Sequence, residues 1–178
     1  MKRPSIQKVG LPTDSLIARA FPRRDYADAY RVQLPAGAAN DLDSLVRATL
    51  GTAPGWIKLL LRLRDRLVAP FGLKTASGAP VSAFDRFELR PGHSVGLFKV
   101  IERTSDELLL GQDDLHLDFR VSVLVRSDGG ADWVVISTIV RFNNWLGRAY
   151  FLPVRQFHKL IVPAMIRNAY QRYSERHG

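Results

Sequence analysis

The run Leu115-His116-Leu117-Asp118-Phe119-Arg120-Val121-Ser122-Val123-Leu124-Val125-Arg126, followed by Ser127-Asp128-Gly129-Gly130 and then Asp132 to Phe142, decides the fold. Leu115, Leu117, Phe119, Val121 and Val123 share one parity; His116, Asp118, Arg120 and Ser122 share the other. Period-two alternation in a run rich in β-branched and aromatic residues marks a strand with one apolar face. The paired glycines supply the positive φ that a tight hairpin turn requires, so a second long strand returns through Asp132–Phe142.

Upstream, Val95–Glu102 and Glu107–Gly111 read as further strands joined by the turn Thr104-Ser105-Asp106, and Phe84–Leu89 as a weaker one. Connections this short leave no room for crossover helices, which makes the sheet antiparallel. Asp25–Leu34 reads as the first long strand, with Tyr26, Tyr30, Val32 and Leu34 on one parity and Pro35-Ala36-Gly37 stopping it. Asn40 or Asp41 can cap a helix that runs to Leu50 and stops at Gly51. Pro54 opens a second helix to about Ala69, with Trp56, Leu60, Leu63 and Leu67 on one stripe and Lys58, Arg62 and Asp65 opposite. Pro70, Gly72, Gly78 and Pro80 mark a loop.

Downstream, Gly147 to Ser174 reads as one long helix. Val154, Phe157, Ile161, Ala164 and Met165 form its expected buried stripe, Arg155, Lys159, Arg167 and Gln171 point outward, and Pro163 on the outer face should bend it. The fold class is therefore α+β of the helix-grip type: a curved antiparallel sheet wrapped around a long C-terminal helix, with two short helices after the first strand. Residues 1–24 carry little periodicity and read as an extension packed on the surface, leaving 25–178 as a single domain. Such a grip can enclose a cavity for a small molecule.

The chain has 178 residues, 46% hydrophobic and 24% charged, which is ordinary for a globular domain and argues against disorder. No stretch reaches the ~20 apolar residues of a membrane span, and the N-terminus lacks the apolar core of a signal peptide, so a cytoplasmic location is expected. The absence of cysteine removes disulfides, thiolate nucleophiles and Cys-ligated metals. The net charge of +9 comes mostly from scattered arginines, such as Arg19, Arg23, Arg24, Arg62, Arg64, Arg66, Arg167, Arg172 and Arg176. Without clustering on one face or interleaved aromatics, it gives no strong nucleic-acid or membrane signal.

His116, Asp118 and Arg120 form the most unusual constellation. Asp118 could orient His116 as an acid/base pair, and Arg120 could hold a carboxylate or phosphate. The alternative is an exposed face with cross-strand ion pairs. His158 lies at the edge of the expected helix stripe, either hydrogen-bonded in the core or reaching a cavity. Arg141, Asn143, Asn144, Arg148 and Tyr150 gather where the last strand enters the helix, where they could hold an anion or serve as caps. Gly92-His93-Ser94-Val95-Gly96 matches the GxSxG pattern, but it precedes a strand rather than joining strand to helix, so it reads as a turn. His93, His116 and His158 lack the spacing of a zinc site, and no metal or cofactor is expected. Trp56, Trp133 and Trp145 read as core or rim.

The segment Gly111–Ser122, with Thr138–Arg141, Gly147-Arg148-Ala149-Tyr150, Phe157-His158 and the helix Trp56–Leu73, resembles the domain of unknown function 2867 family over roughly residues 25–170. The resemblance implies a distant branch of the START-like, helix-grip superfamily, whose members bind lipids, polyketides, hormones or aromatic compounds. It also implies a possible dehydrogenase-type partner, since some relatives carry this domain beside a dinucleotide-binding one. It assigns no catalytic residues. The leading expectation is a module holding a hydrophobic small molecule between sheet and C-terminal helix, with His116, Asp118, Arg120, Arg141, Arg148, Tyr150 and His158 as candidate ligand contacts. The alternatives are a cyclase- or isomerase-like enzyme using His116 and Asp118, and a basic surface module for nucleic acid or acidic membrane.

Overall fold

A computed structural model describes residues 4–35, 41–50, 88–95 and 98–177. The expected helix over 54–69, the loop through Pro70 and Pro80, most of the weak strand at 84–89, and Gly96 of the GxSxG match lie outside the described residues.

The described strands are β1 (Gln7–Val9), β2 (Tyr26–Gln33), β3 (Ser94–Val95), β4 (Phe98–Arg103), β5 (Glu107–Asp113), β6 (Leu117–Asp128) and β7 (Ala131–Phe142). They form one curved antiparallel sheet in the order β1-β2-β7-β6-β5-β4-β3. The β6–β7 hairpin is its spine. It turns at Gly129 and Gly130, with φ of 60° and 76°, the left-handed pair that a two-residue hairpin loop needs. The helices are α1 (Leu16–Arg19), α2 (Leu42–Leu50) and α3 (Trp145–His177). Asp41 caps α2 by accepting the Ser44 N–H at 2.9 Å, and Asn144 caps α3 by accepting the Gly147 N–H at 3.0 Å. The helix-grip architecture expected from the sequence is thus the one observed.

Directly paired residues in a ladder point to the same side of the sheet. On one side the rows run Tyr30–Ile136–Val123–Leu108 and Val32–Val134–Val125. This face meets Leu42, Leu45 and Val46 of α2 and Val162 and Ile166 of α3 in the main core. Each such fully buried aliphatic side chain contributes about 1.5–3 kcal/mol. On the other side, Leu109 and Ile139 pack against Leu16, Ile17 and Phe21.

Four details differ from the expectations. The N-terminal extension does more than lie on the surface: β1 adds a strand to the sheet edge, and Ile17 is fully buried. The strand expected at 95–102 is two strands, since Ser94 pairs with Lys99 and Val95 with Phe98. The strand expected from Leu115 starts at Leu117; Asp114 accepts the Leu115 N–H and Asp118 accepts the Asp114 N–H, so aspartate turn chemistry overrides the alternation and leaves Leu115 86% exposed. The buried stripe of α3 is Phe151, Val162, Ile166 and Ala169, with His158 between them, whereas Phe157 is 44% exposed.

Candidate functional site

β2 carries one carboxylate in its apolar row. Asp28 lies between Tyr26 and Tyr30 on the parity that faces α3, and its β7 partner is the buried Thr138. Its side chain is 2% exposed. A charge removed from water this far must be compensated by hydrogen bonds or a counter-charge. Two groups compensate it. The Tyr26 hydroxyl donates to Oδ2 at 2.5 Å, and the His158 imidazole, from α3, places Nε2 3.3 Å from Oδ1. Tyr26 in turn meets Phe151 and His158 edge-on, with ring centroids 4.9 and 5.9 Å apart, and the Arg155 guanidinium lies 5.8 Å from its ring centre.

Electrostatics follow this geometry. Burial, and then the hydrogen bond and charge of Asp28, push the Tyr26 hydroxyl well above the usual phenol range. Burial first and Asp28 second push Tyr30 the same way. Both hydroxyls therefore keep their protons to higher pH than a free phenol, and that of Tyr26 donates to Asp28. With one imidazole nitrogen directed at Asp28, the other nitrogen of His158, whose side chain is 20% exposed, can meet a hydrogen-bonding group. Asp28 and Tyr26 were not among the candidates from the sequence. The signal was a single acid in an otherwise apolar parity row.

The expected constellation at 116–120 is arranged differently. Asp118 pairs with Arg141, and Arg120 pairs with Gly111 on one side and Ile139 on the other, so their row faces away from α3. Both Asp118 oxygens are taken: Arg141 forks onto Oδ2, while the Asp114 N–H and the Asn143 amide each donate to Oδ1 at 3.0 Å. Arg120 bonds Asp113 at 2.8 Å and lies 4.6 Å from the Phe21 ring centre; Arg141 is 5.1 Å from the same ring. The N-terminal segment therefore covers this polar row, and Asp118 ties β6, β7 and the turn together. His116 is in the β5–β6 turn, not on the strand. Its Nδ1 is 3.7 Å from Asp114 Oδ1 and its ring is 5.4 Å from that of Tyr150. His116 thus lies against Asp114 and Tyr150, while Asp118 meets Arg141, Asn143 and the Asp114 N–H.

At the start of α3, the amides serve as caps and turn bonds. Asn143 donates to the Asp114 carbonyl at 2.8 Å and Asn144 to the Leu115 carbonyl at 2.9 Å. Arg148 and Arg23 line an open concavity of about 280 Å³ with Phe142, Asn143, Asn144 and Trp145. Ser94 of the GxSxG match sits on β3 after a turn at Gly92, whose φ is 93°, and so is not the strand-to-helix elbow of a hydrolase. Among the described residues no three His, Asp or Glu side chains converge as metal ligands.

Of the expected ligand contacts, His158 bonds across the interface between sheet and α3. Space there is small. The gap lined by Val32, Leu34, Leu45, Val134, Ile136, Ile166 and Tyr170 has a volume of about 20 Å³, room for a single water. A preformed, ligand-sized hollow was expected at this place. Among the described residues, the aliphatic side chains of β2, β7, α2 and α3 pack directly against one another there.

No curated protein matches the chain. Among solved structures it is similar to an uncharacterised protein from Rhizobium leguminosarum, with 11% identity, 95% of this chain and 98% of that one covered, and a TM-score of 0.43. It is also similar to CalU16 from Micromonospora echinospora, with 10% identity, 95% and 91% coverage, and a TM-score of 0.30. Likenesses this distant carry no argument about ligand or activity. The family model of DUF2867, a protein of unknown function, matches residues 20–165, and the chain belongs to that family.

Proposed function

We propose that this protein is a START-like small-molecule-binding module whose ligand is an apolar compound with one hydrogen-bonding end, held between the sheet and α3. The observation that carries the reading is the buried Asp28 carboxylate, bridged to His158 of the helix inside an otherwise apolar interface. A buried carboxylate is an inefficient stabiliser, because desolvation offsets most of what its hydrogen bonds contribute. A polar group retained there serves better to orient a ligand, with the second His158 nitrogen as the contact. The apolar rows around it would take the body of the compound. The gap between these rows holds about 20 Å³, so a ligand larger than a water must displace side chains that now fill it.

Native mass spectrometry and thermal shift against fatty acids, sterols and polycyclic aromatics test the reading. A binder should raise the melting temperature and slow hydrogen exchange along α3. His158→Gln should weaken it, and Arg120→Ala, on the opposite face, should not. If no apolar compound stabilises the protein, or if Arg120→Ala abolishes binding while His158→Gln does not, the reading fails.

A further inference from the structure

The outer face of α3 presents a second surface. The large apolar side chains exposed among the described residues are Leu115 at 86%, Trp145 at 77%, Leu152 at 67%, Leu160 at 64% and Phe157 at 44%. Four of them belong to α3, and Leu115 is tied to its start through the Asn144 amide. Trp145, Leu152 and Leu160 recur about two helical turns apart, which aligns them in one stripe, with Phe157 on its flank. Buried side chains of the same helix, from Phe151 to Ala169, occupy the opposite face, so core packing does not account for this stripe.

Charge accompanies it. Arg148, Lys159 and Arg167 are exposed on the helix, while Arg155 turns toward the Tyr26 ring, and from Trp145 to Gln171 the helix contains no aspartate or glutamate. Beside Trp145, Arg23 and Arg148 line the open concavity of about 280 Å³, where guanidinium groups can meet phosphate. No described helix is long and apolar enough to cross a membrane, so such a face would lie on a bilayer and not span it. An apolar stripe with a terminal tryptophan and basic side chains along the helix beside it is complementary to an anionic headgroup layer over acyl chains.

We infer that the outer face of α3 docks on anionic lipid bilayers, with Trp145, Leu152 and Leu160 inserted at the headgroup boundary and the arginines and Lys159 against lipid phosphates. This stands apart from the ligand-binding reading, because it uses the helix face turned away from Asp28.

The test is co-sedimentation of the full chain with phosphatidylglycerol–phosphatidylcholine vesicles, against phosphatidylcholine alone. Binding should appear with the anionic vesicles, fall as salt rises, and shift the tryptophan emission to the blue in a Trp145-dependent way, with Trp145→Phe as the comparison. The double substitution Leu152→Ser with Leu160→Ser should weaken partitioning about tenfold or more while leaving the far-ultraviolet circular dichroism and melting temperature unchanged. Lys159→Glu with Arg167→Glu should weaken it comparably. No binding at low salt would overturn the inference. So would binding lost only on charge reversal and matched by duplex DNA, which assigns the surface to polyanions. A dimer that dissociates with the two serine substitutions would assign the stripe to a second copy and equally overturn it.

Discussion

The His158 imidazole meets the Asp28 carboxylate across the interface of sheet and closing helix, with Nε2 3.3 Å from Oδ1. Charged hydrogen bonds are commonly shorter than this, and the imidazole edge reaches solvent, so the coupling is modest. His158→Ala should cost about 1–3 kcal/mol, because it takes one partner from a buried carboxylate that Tyr26 then holds on the other oxygen. A double-mutant cycle with Asp28→Ala, followed by urea denaturation, should give a coupling energy of about 0.5 kcal/mol or more. Strict additivity would show that the two side chains do not act together.

Gly147 lies in the first turn of α3 against the β5–β6 turn. A Cβ added there would overlap the His116 carbonyl oxygen and approach the Leu117 Cβ to 3.5 Å. The clash is with backbone, which cannot swing aside. Gly147→Ala should therefore destabilise by about 1–3 kcal/mol, although alanine is the better helix former by up to ~1 kcal/mol. Gly10→Ala, where an added Cβ meets nothing within 4 Å, should stay within about 0.5 kcal/mol of the parent. A Gly147→Ala protein with a raised melting temperature would mean that the helix start is not docked on the turn.

Local chemistry made most of the fold legible. The alternation of β6 and β7, the Gly129-Gly130 turn, the Asp41 cap and the strand at 26–33 all follow from neighbours in sequence. The sidedness of the polar row did not. His116, Asp118 and Arg120 look like one set in sequence, but a two-aspartate turn takes His116 off the strand, and the row of Asp118 and Arg120 is covered by Phe21 from the N-terminal segment. That segment has no period to announce the burial of Leu16, Ile17 and Phe21. On α3, Phe157 has the right hydrophobicity for the core and yet is half exposed, because the stripe is set by what Val162 and Ile166 touch. Asp28 was visible as an acid among apolar neighbours, but its partner His158 is 130 residues away, and no local pattern joins them.

The N-terminal segment is held from below as well. Glu107, itself 3% exposed, accepts the Leu16 N–H at 2.8 Å and the Ser122 hydroxyl at 2.5 Å. The carboxylate therefore sits at the first turn of α1 and fixes it on the sheet. Glu107→Ala should orphan both donors and cost about 2–4 kcal/mol. Phe21→Ala should cost about 3–5 kcal/mol by opening a cavity beside Leu109 and Ile139 and stripping the ring from between Arg120 and Arg141. Both variants should show faster hydrogen exchange in β5 and β6. Losses of only a few tenths in chemical denaturation would mean that residues 11–21 are dispensable to the core.

The alkaline limb of the stability curve should report the Asp28 site. The Tyr26 and Tyr30 hydroxyls are raised above their ordinary value of 10.0 in the folded chain, by burial first and Asp28 second. Between the unfolded and folded values the unfolded chain has lost these protons while the folded chain retains them. Folding stability contributed by the two tyrosines is thus fully present below about pH 10 and declines as the pH rises past it. Tyr26→Phe should flatten this decline while costing about 1 kcal/mol at neutral pH through the lost bond to Asp28. Urea midpoints across the alkaline range, read beside tyrosinate absorbance, measure both effects. If the slope above pH 10 is the same in Tyr26→Phe as in the parent, the phenol is not the buried donor that the geometry describes.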